Sequence, residues 1–407
     1  MRILHTSDWH LGQHFMGKTR EAEHRAWCAW LVQTVVEQQA DALIVAGDIF
    51  DTGTPPSYAR KQYNQFILQM KATGCQLILL AGNHDSVTML NESKDLLAEL
   101  NTQVIASVSD KLDEQLIPLK KRNGELGAVL CAVPFIRARD IHYSQAGQSA
   151  EEKQGSLQAA ITEHYAQLFA KATAFCKEQN LQLPIIGTGH LTTVGASLTE
   201  SVRNIYVGNL SALPTNAFPA FDYLALGHIH RPQKVGGEEH LRYSGSPIAL
   251  SFDEANRQKE ILCVDFDATG LKAVTPIQIP SFQRLIALKG NLASLKQQLS
   301  KLAKELAPEP EPKAWLEVTV EEEDFYSDLS ERVNQLCADL PVEVLRVRRQ
   351  RKQLATSLSY ETGEVLAELT PEDVFTKRLA QETLTDEQIT TLKGLHAQVL
   401  EALQEAD

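Results

Sequence analysis

Five times within the first 230 residues, a short apolar run of the kind that forms a buried strand gives way to Asp, Asn or His. The runs at 2–6, 43–46, 76–80, 184–187 and 223–226 lead into Asp8-Trp9-His10, Gly47-Asp48-Ile49-Phe50-Asp51, Gly82-Asn83-His84-Asp85, Gly189-His190 and Gly227-His228-Ile229-His230. Layered α/β folds collect ligands at the ends of successive strands, so a chain patterned this way is expected to gather these motifs. Stretches with helical spacing at 21–39, 57–73 and 156–179, with a further strand at 128–133, fill the intervals and predict an α/β layered fold. Beyond residue 190 the strands at 223–226, 240–244 and 260–266 follow one another without long helices, so the sheet is expected to close in a more antiparallel style.

Each motif alone has an ordinary explanation, because Gly-Asp or Gly-Asn after a strand is common turn chemistry, with Asn and Asp bonding their own backbone. A spaced histidine pair is more often polar packing than a metal site. Together, however, the five strand ends supply four histidines (His10, His190, His228, His230), two aspartates (Asp8, Asp48) and Asn83. Turns alone do not account for that repeated placement. Hard and borderline divalent cations are bound by this mixture of imidazole and oxygen donors.

The net charge of −13 speaks at first against a nucleic-acid substrate, since phosphate binding is dominated by Lys and Arg. Eleven acidic against three basic residues from Glu361 onward account for −8 of that total. The remainder is only mildly acidic, and a pair of divalent cations would add +4 at the site. Basic clusters at Arg346, Arg348, Arg349, Arg351 and Lys352, and at Lys120-Lys121-Arg122 in an expected hairpin, are either solvated faces or phosphate contacts. Six widely spaced cysteines suggest neither a thiolate metal site nor a disulfide framework. No run approaches the roughly 20 apolar residues of a membrane span, and the N-terminus enters a strand pattern, so a cytoplasmic location with no membrane partner is expected.

The pattern resets near Pro276 to Pro280. Strands at 284–289, 315–320 and 342–347 alternate with helices at 292–306 and 326–340, a compact βαβαβ unit. From Pro371 the chain is again expected to be helical, with Leu392, Leu395, Val399 and Leu403 on one face. The expected organisation is a first domain at 1–277, a second at 281–352 and C-terminal helices at 365–407.

The order DxH, GDxxD, GNHD, GH and GHxH resembles the calcineurin-like metallophosphoesterase superfamily. Residues 1–12 and 46–53 and the stretch Arg242-Tyr243-Ser244-Gly245-Ser246-Pro247 are similar to its meiotic-recombination nuclease branch. That resemblance implies an αββα sandwich, with the βαβαβ unit as a capping, DNA-contacting domain. It also implies that Asp8, His10 and His230 hold one divalent cation, that Asn83, His190 and His228 hold the other, and that Asp48 bridges them. Manganese is the expected metal. A bridging carboxylate keeps two cations roughly 3.5–4 Å apart, where they can clamp a phosphodiester. By the same resemblance His84 contacts the phosphate and protonates the leaving sugar oxygen, with the Asp51 carboxylate orienting it.

The implied activity is that of an endonuclease and 3′–5′ double-strand exonuclease on DNA ends and hairpins, serving replication, recombination and repair. The implied partner is the SMC-like ATPase SbcC, docked on the C-terminal helices, with two copies of this chain in a heterotetramer. Two alternatives stay open, since ligands alone do not choose the ester. One is a phosphatase or cyclic-nucleotide phosphodiesterase of the same fold; the other is a non-catalytic, metal-stabilised scaffold.

Overall fold

The computed structural model describes the chain except for residues 142–149, 198, 200, 203–211, 307–311, 322–327, 351–387, 390, 393–394 and 397–407. β1 (Arg2–Thr6) leads through a small hairpin, β2 (His14–Phe15) and β3 (Lys18–Thr19), into α1 (Glu21–Glu37). Then come β4 (Ala42–Ala46), α2 (Ser57–Thr73), β5 (Gln76–Leu80), α3 (Val87–Asn91), α4 (Lys94–Ala98) and β6 (Thr102–Ile105). The next stretch holds β7 (Leu116–Lys120), β8 (Leu126–Cys131), α5 (Ala138–Ile141), α6 (Ala150–Glu178), β9 (Ile185–His190), β10 (Tyr223–Gly227), β11 (Gln233–Val235) and β12 (Glu238–Tyr243). β13 (Glu260–Asp267) and β14 (Gly270–Gln278) precede a final unit of β15 (Leu285–Gly290), α7 (Leu292–Glu305), β16 (Ala314–Val320), α8 (Leu329–Cys337) and β17 (Val342–Arg349).

Two six-stranded sheets, ordered β14-β13-β1-β4-β5-β6 and β11-β12-β10-β9-β8-β7, face each other. Their inner faces share one core, in which Ile3, Ile44 and Ile78 of the first sheet meet Leu130, Ile186 and Tyr223 of the second. β4 is buried at every position, as a strand covered on both faces must be. On the outer face of the first sheet, α1 buries Trp27, Leu31 and Val35, four residues apart, and α2 adds Phe66, Ile67 and Met70. On the outer face of the second, α6 contributes Ile161, Tyr165, Leu168 and Ala172. Helix, sheet, sheet, helix is the αββα sandwich expected.

Parallel pairing of β1, β4, β5 and β6 brings their C-terminal ends to one edge, and β8, β9, β10 and β12 run parallel in the other sheet. The antiparallel closure comes later than the sequence suggests. β12 is still parallel to β10; the reversed strands are the two edge strands β7 and β11 in that sheet and β13 in the first, with β14 turning back antiparallel to β13. Pro276 lies not in a linker but inside β14, opposite Leu262. β14 is the sheet's outermost strand, where a missing N–H is tolerated.

The final unit forms its own three-stranded sheet, β15-β16-β17, with a core of Leu295, Leu299 and Leu302 from α7, Leu316 and Val318 from β16, and Val333 from α8. Asn291 caps α7 by accepting a hydrogen bond from the Ser294 amide at 2.8 Å. Residues Met1–Val320 and Tyr326–Arg348 make one compact unit, and Glu321–Phe325 with Arg349–Asp407 make a second. Of the expected tail, Leu392 and Leu395 are helical and exposed, whereas Val399 and Leu403 lie outside the described residues, as do Arg351 and Lys352. All six cysteines are buried and unpaired, and no helix among the described residues is long and apolar enough to cross a membrane.

Candidate metal centre

All nine residues singled out by the sequence converge on the edge where the strand ends meet. Asp8 and His10 follow β1, Asp48 and Asp51 follow β4, and Asn83 and His84 follow β5. His190 closes β9, while His228 and His230 follow β10. The first sheet therefore supplies every carboxylate and the amide, and the second supplies three of the imidazoles. Donor atoms of Asp8, His10 and His230 lie within 4.8 Å of one another, as do those of Asp48, His190 and His228, and those of His10, Asp48 and His84.

Asp48 stands between the groups, its Oδ2 3.6 Å from His10 Nε2 and 3.2 Å from His190 Nε2. Asn83 Oδ1 is 3.0 Å from the same His190 nitrogen. Behind the ring, His190 Nδ1 donates to the Ala46 carbonyl oxygen at 2.9 Å, which turns Nε2 inward. His10 is held likewise, its Nδ1 3.1 Å from Asp51 Oδ1, and its Nε2 is buried with no hydrogen-bond partner. A buried nitrogen without a partner costs free energy, and a cation would satisfy it. Each ring is thus anchored through Nδ1 and presents Nε2, the outer support usual for metal-ligating histidines.

Close packing explains the glycines of the motifs. A Cβ on Gly82 would sit 2.0 Å from Asp48 Oδ1, and one on Gly227 would sit 1.9 Å from the Ala46 carbonyl oxygen. Asp8, His10, Asp48 and His228 have φ of 55°, 48°, 50° and 91°. Non-glycine residues rarely adopt that left-handed region, and strain of this sort concentrates at functional sites.

Burial pushes the Asp8 carboxyl up to about 6, against the pull of His190. Burial acts on Asp48 too, but His190, His10 and His84 outweigh it and hold that carboxyl well below the usual range. His190 shows the reciprocal effect: burial disfavours its charge, yet Asp48 carries it up to about 9. His228 is pushed down to about 3, chiefly by burial. Protein alone therefore balances Asp48 with a proton on His190. Divalent cations can take over that role, because ligating imidazoles are neutral. Buried, crowded acids and imidazoles, with an unpartnered nitrogen among them, fit a pair of such ions.

His84 Nδ1 is 2.7 Å from the main-chain carbonyl oxygen of Asp51, while the Asp51 carboxylate reaches His10. The Asp51 side chain thus meets His10, and its main-chain carbonyl meets His84. The basic cluster of β17 is also partly engaged, since Arg346 is paired with Glu317, and Arg348 Nε is 4.0 Å from the same carboxylate.

Several supporting groups escape a reading of the sequence. Asp85 accepts hydrogen bonds from the amides of Ile49, Phe50 and Gly82, tying the loop after β4 to the loop after β5. Its place in Gly82-Asn83-His84-Asp85 is the one signal that could have found it. Ser7 donates to Asp8 Oδ2 at 2.5 Å and meets Ser244 Oγ at 2.9 Å. Ser201 Oγ lies 2.6 Å from His230 Nδ1, with Glu254 and Lys259 behind it, and no local sequence signal marks those three.

Residues 1–232 match the family described as calcineurin-like phosphoesterase, and residues 281–383 match one described as type 5 capsule protein repressor C-terminal domain. The chain is 50% identical over 404 residues to SbcD, the nuclease subunit of SbcCD, from Escherichia coli strain K12, covering 99% of this chain and 98% of that protein. Proteins of the same name are 36% identical over 289 residues in Rhodobacter capsulatus (69% of this chain, 70% of that protein) and 32% over 274 residues in Bacillus subtilis (65% and 66%). A β-glucosidase structure from Exiguobacterium marinum covers 86% of this chain and 89% of its own, but a TM-score of 0.24 at 8% identity carries no likeness of fold.

Proposed function

Since the chain belongs to the calcineurin-like phosphoesterase family, and within it to the SbcD nucleases, we propose that it hydrolyses DNA phosphodiesters at a centre of two divalent cations. Asp8, His10 and His230 would hold one cation and Asn83, His190 and His228 the other. The observation that carries this reading is the position of Asp48, whose single carboxylate lies between His10 of one set and His190 of the other. Cations held there would supply neutralisation of phosphate charge and activation of a water for in-line attack. Manganese suits the mixed imidazole and carboxylate donors.

The protein's own groups supply the rest. His84 is half-buried beside His10, with ring centroids 4.8 Å apart, and is fixed through Nδ1 to the Asp51 carbonyl. Through Nε2 it would hand a proton to the departing 3′ oxygen, the role of a general acid. Buried rings of His10, His190, His228 and His230 exclude bulk water from the inner side of the site, and Asn83 adds a neutral oxygen that keeps the anionic backbone from being repelled.

The relatives share the name of a nuclease subunit of SbcCD, which supports nuclease action; endonuclease and 3′–5′ exonuclease action on DNA ends and hairpins in the cytoplasm is our proposal for this chain. The same name supports a partnership with SbcC, and we propose that two copies of this chain assemble with it through the tail beyond residue 365. The test is a labelled DNA hairpin incubated with Mn²⁺, with and without SbcC and ATP. Cleavage that requires Mn²⁺ and rises with SbcC and ATP is expected. Turnover of a small phosphomonoester with no action on DNA would overturn the reading.

A further inference from the structure

A chain of buried polar groups runs outward from His230. Lys259 spends all three ammonium protons: to Glu254 Oε2 at 2.6 Å, to Ser246 Oγ at 2.8 Å and to the His230 carbonyl oxygen at 3.0 Å. Glu254, with no exposed surface, accepts from Lys259 and from the Leu250 amide at 3.1 Å through Oε2, and from Ser201 Oγ at 2.7 Å through Oε1. Ser201 Oγ in turn lies 2.6 Å from His230 Nδ1.

The proton directions follow from the ends. A carboxylate facing an ammonium and an amide is an acceptor only, so the single hydroxyl proton of Ser201 goes to Glu254. The Ser201 oxygen must then accept from His230, which places the imidazole proton on Nδ1. The lone pair is left on Nε2, on a ring that brings a donor atom within 4.8 Å of those of Asp8 and His10. His10 and His190 take the same orientation from one direct contact each, with Asp51 and with Ala46. Of these three rings, only His230 depends on a three-residue chain, and that chain begins on another part of the fold: Glu254 belongs to the short turn Phe252–Glu254, and Lys259 lies just before β13.

We infer that Glu254, held by Lys259 and acting through Ser201, is a positioning residue that fixes the tautomer and ring orientation of His230 for cation binding. The inference rests on the metal assignment above, and its test separates the two. Mn²⁺ binding to the full-length chain is titrated by electron paramagnetic resonance for the unaltered protein, Ser201→Ala, Ser201→Thr and Glu254→Gln. The unaltered protein is expected to bind two ions. Ser201→Ala and Glu254→Gln are expected to weaken one of them about 10- to 100-fold and leave the other in place, the usual size of an outer-support loss. Ser201→Thr, which keeps the hydroxyl, is expected to restore the affinity.

Ser201→Ala removes one oxygen from a half-buried loop position, so it remains informative should Glu254→Gln fail to fold. Two tight ions in Ser201→Ala, bound as in the unaltered protein, would overturn the relay and leave the metal assignment standing. Absence of two-ion binding in the unaltered protein would overturn both.

Discussion

A proton donor and a metal ligand leave different traces when removed, and the two kinds of residue are interleaved here. His84 neighbours Asn83 in sequence and His10 in space, and its ring is anchored through Nδ1 on the Asp51 carbonyl oxygen, while one of its donor atoms lies within 4.8 Å of those of His10 and Asp48. His84→Gln is expected to keep both Mn²⁺ ions by elemental analysis and to lose about 10²- to 10⁴-fold in the rate of hairpin cleavage. Loss of an ion in that variant would place His84 among the ligands. Gly227 makes a different case, because its side chain would meet the Ala46 carbonyl oxygen at 1.9 Å and His190 Nδ1 at 2.8 Å. Backbone cannot yield as a flexible side chain can. Gly227→Ala is expected to destabilise the protein by about 1–3 kcal/mol, as overpacking does, and to weaken Mn²⁺ binding by displacing His190. Urea unfolding with a parallel Mn²⁺ titration checks both effects. The motif residues were legible in the sequence because cation chemistry needs particular side chains at strand ends. The partners that aim them were not, since Ser201 and Glu254 lie 29 and 24 residues from His230 in opposite directions and meet it only after folding.

Elements show the same division between pattern and context. Strands buried on both faces, such as β4 and β5, announce themselves as continuous apolar runs, and α2 is bounded by Pro56 before it and by Gly74, at φ 74°, after it. β14 does not, because this outermost strand is largely exposed and even carries Pro276, so only Leu271, Val274 and Ile277 pack, partly buried, against the core. β6 and β11 are too short, at four and three residues, to build a periodic signal. The hairpin β2–β3 is shorter still, yet it reaches the last sheet. Phe15 of β2 stacks on Trp315 of β16 with centroids 5.7 Å apart and planes 10° from parallel, and Phe252, two residues before Glu254, closes the cluster at 5.1 Å from Phe15. Arg20 sits over both the Phe15 and Trp315 rings. Trp315→Ala empties the centre of that junction and is expected to cost about 3–5 kcal/mol. Chemical denaturation measures it, and a loss below about 1 kcal/mol would mean the rings touch without holding the elements together.

Across the whole molecule, the candidate ligands divide by sheet. Asp8, His10, Asp48 and Asn83 hang from the first and His190, His228 and His230 from the second, so a cation held by Asp8 and His230, or by Asp48 and His228, ties the two layers of the sandwich. Without ions, the same edge carries costs: four left-handed backbone positions, an Asp8 carboxyl driven up to about 6 by burial, and an unpartnered His10 Nε2. An unfolded chain offers no such grouping, so cations bind the native state in preference to the unfolded one. Mass action then gives about 2.7 kcal/mol of stabilisation for each site at a free ion concentration 100 times its dissociation constant. Mn²⁺ is expected to raise the melting temperature by several degrees, and prior chelation with EDTA to lower it to a fixed value. Asp48→Asn should abolish most of the rise, because the amide cannot serve two cations as the carboxylate does. Calorimetry over a Mn²⁺ series would show the dependence on ion concentration. A melting temperature indifferent to Mn²⁺ would mean that the two sheets are held by their shared apolar core alone and that the edge is not a joint metal centre.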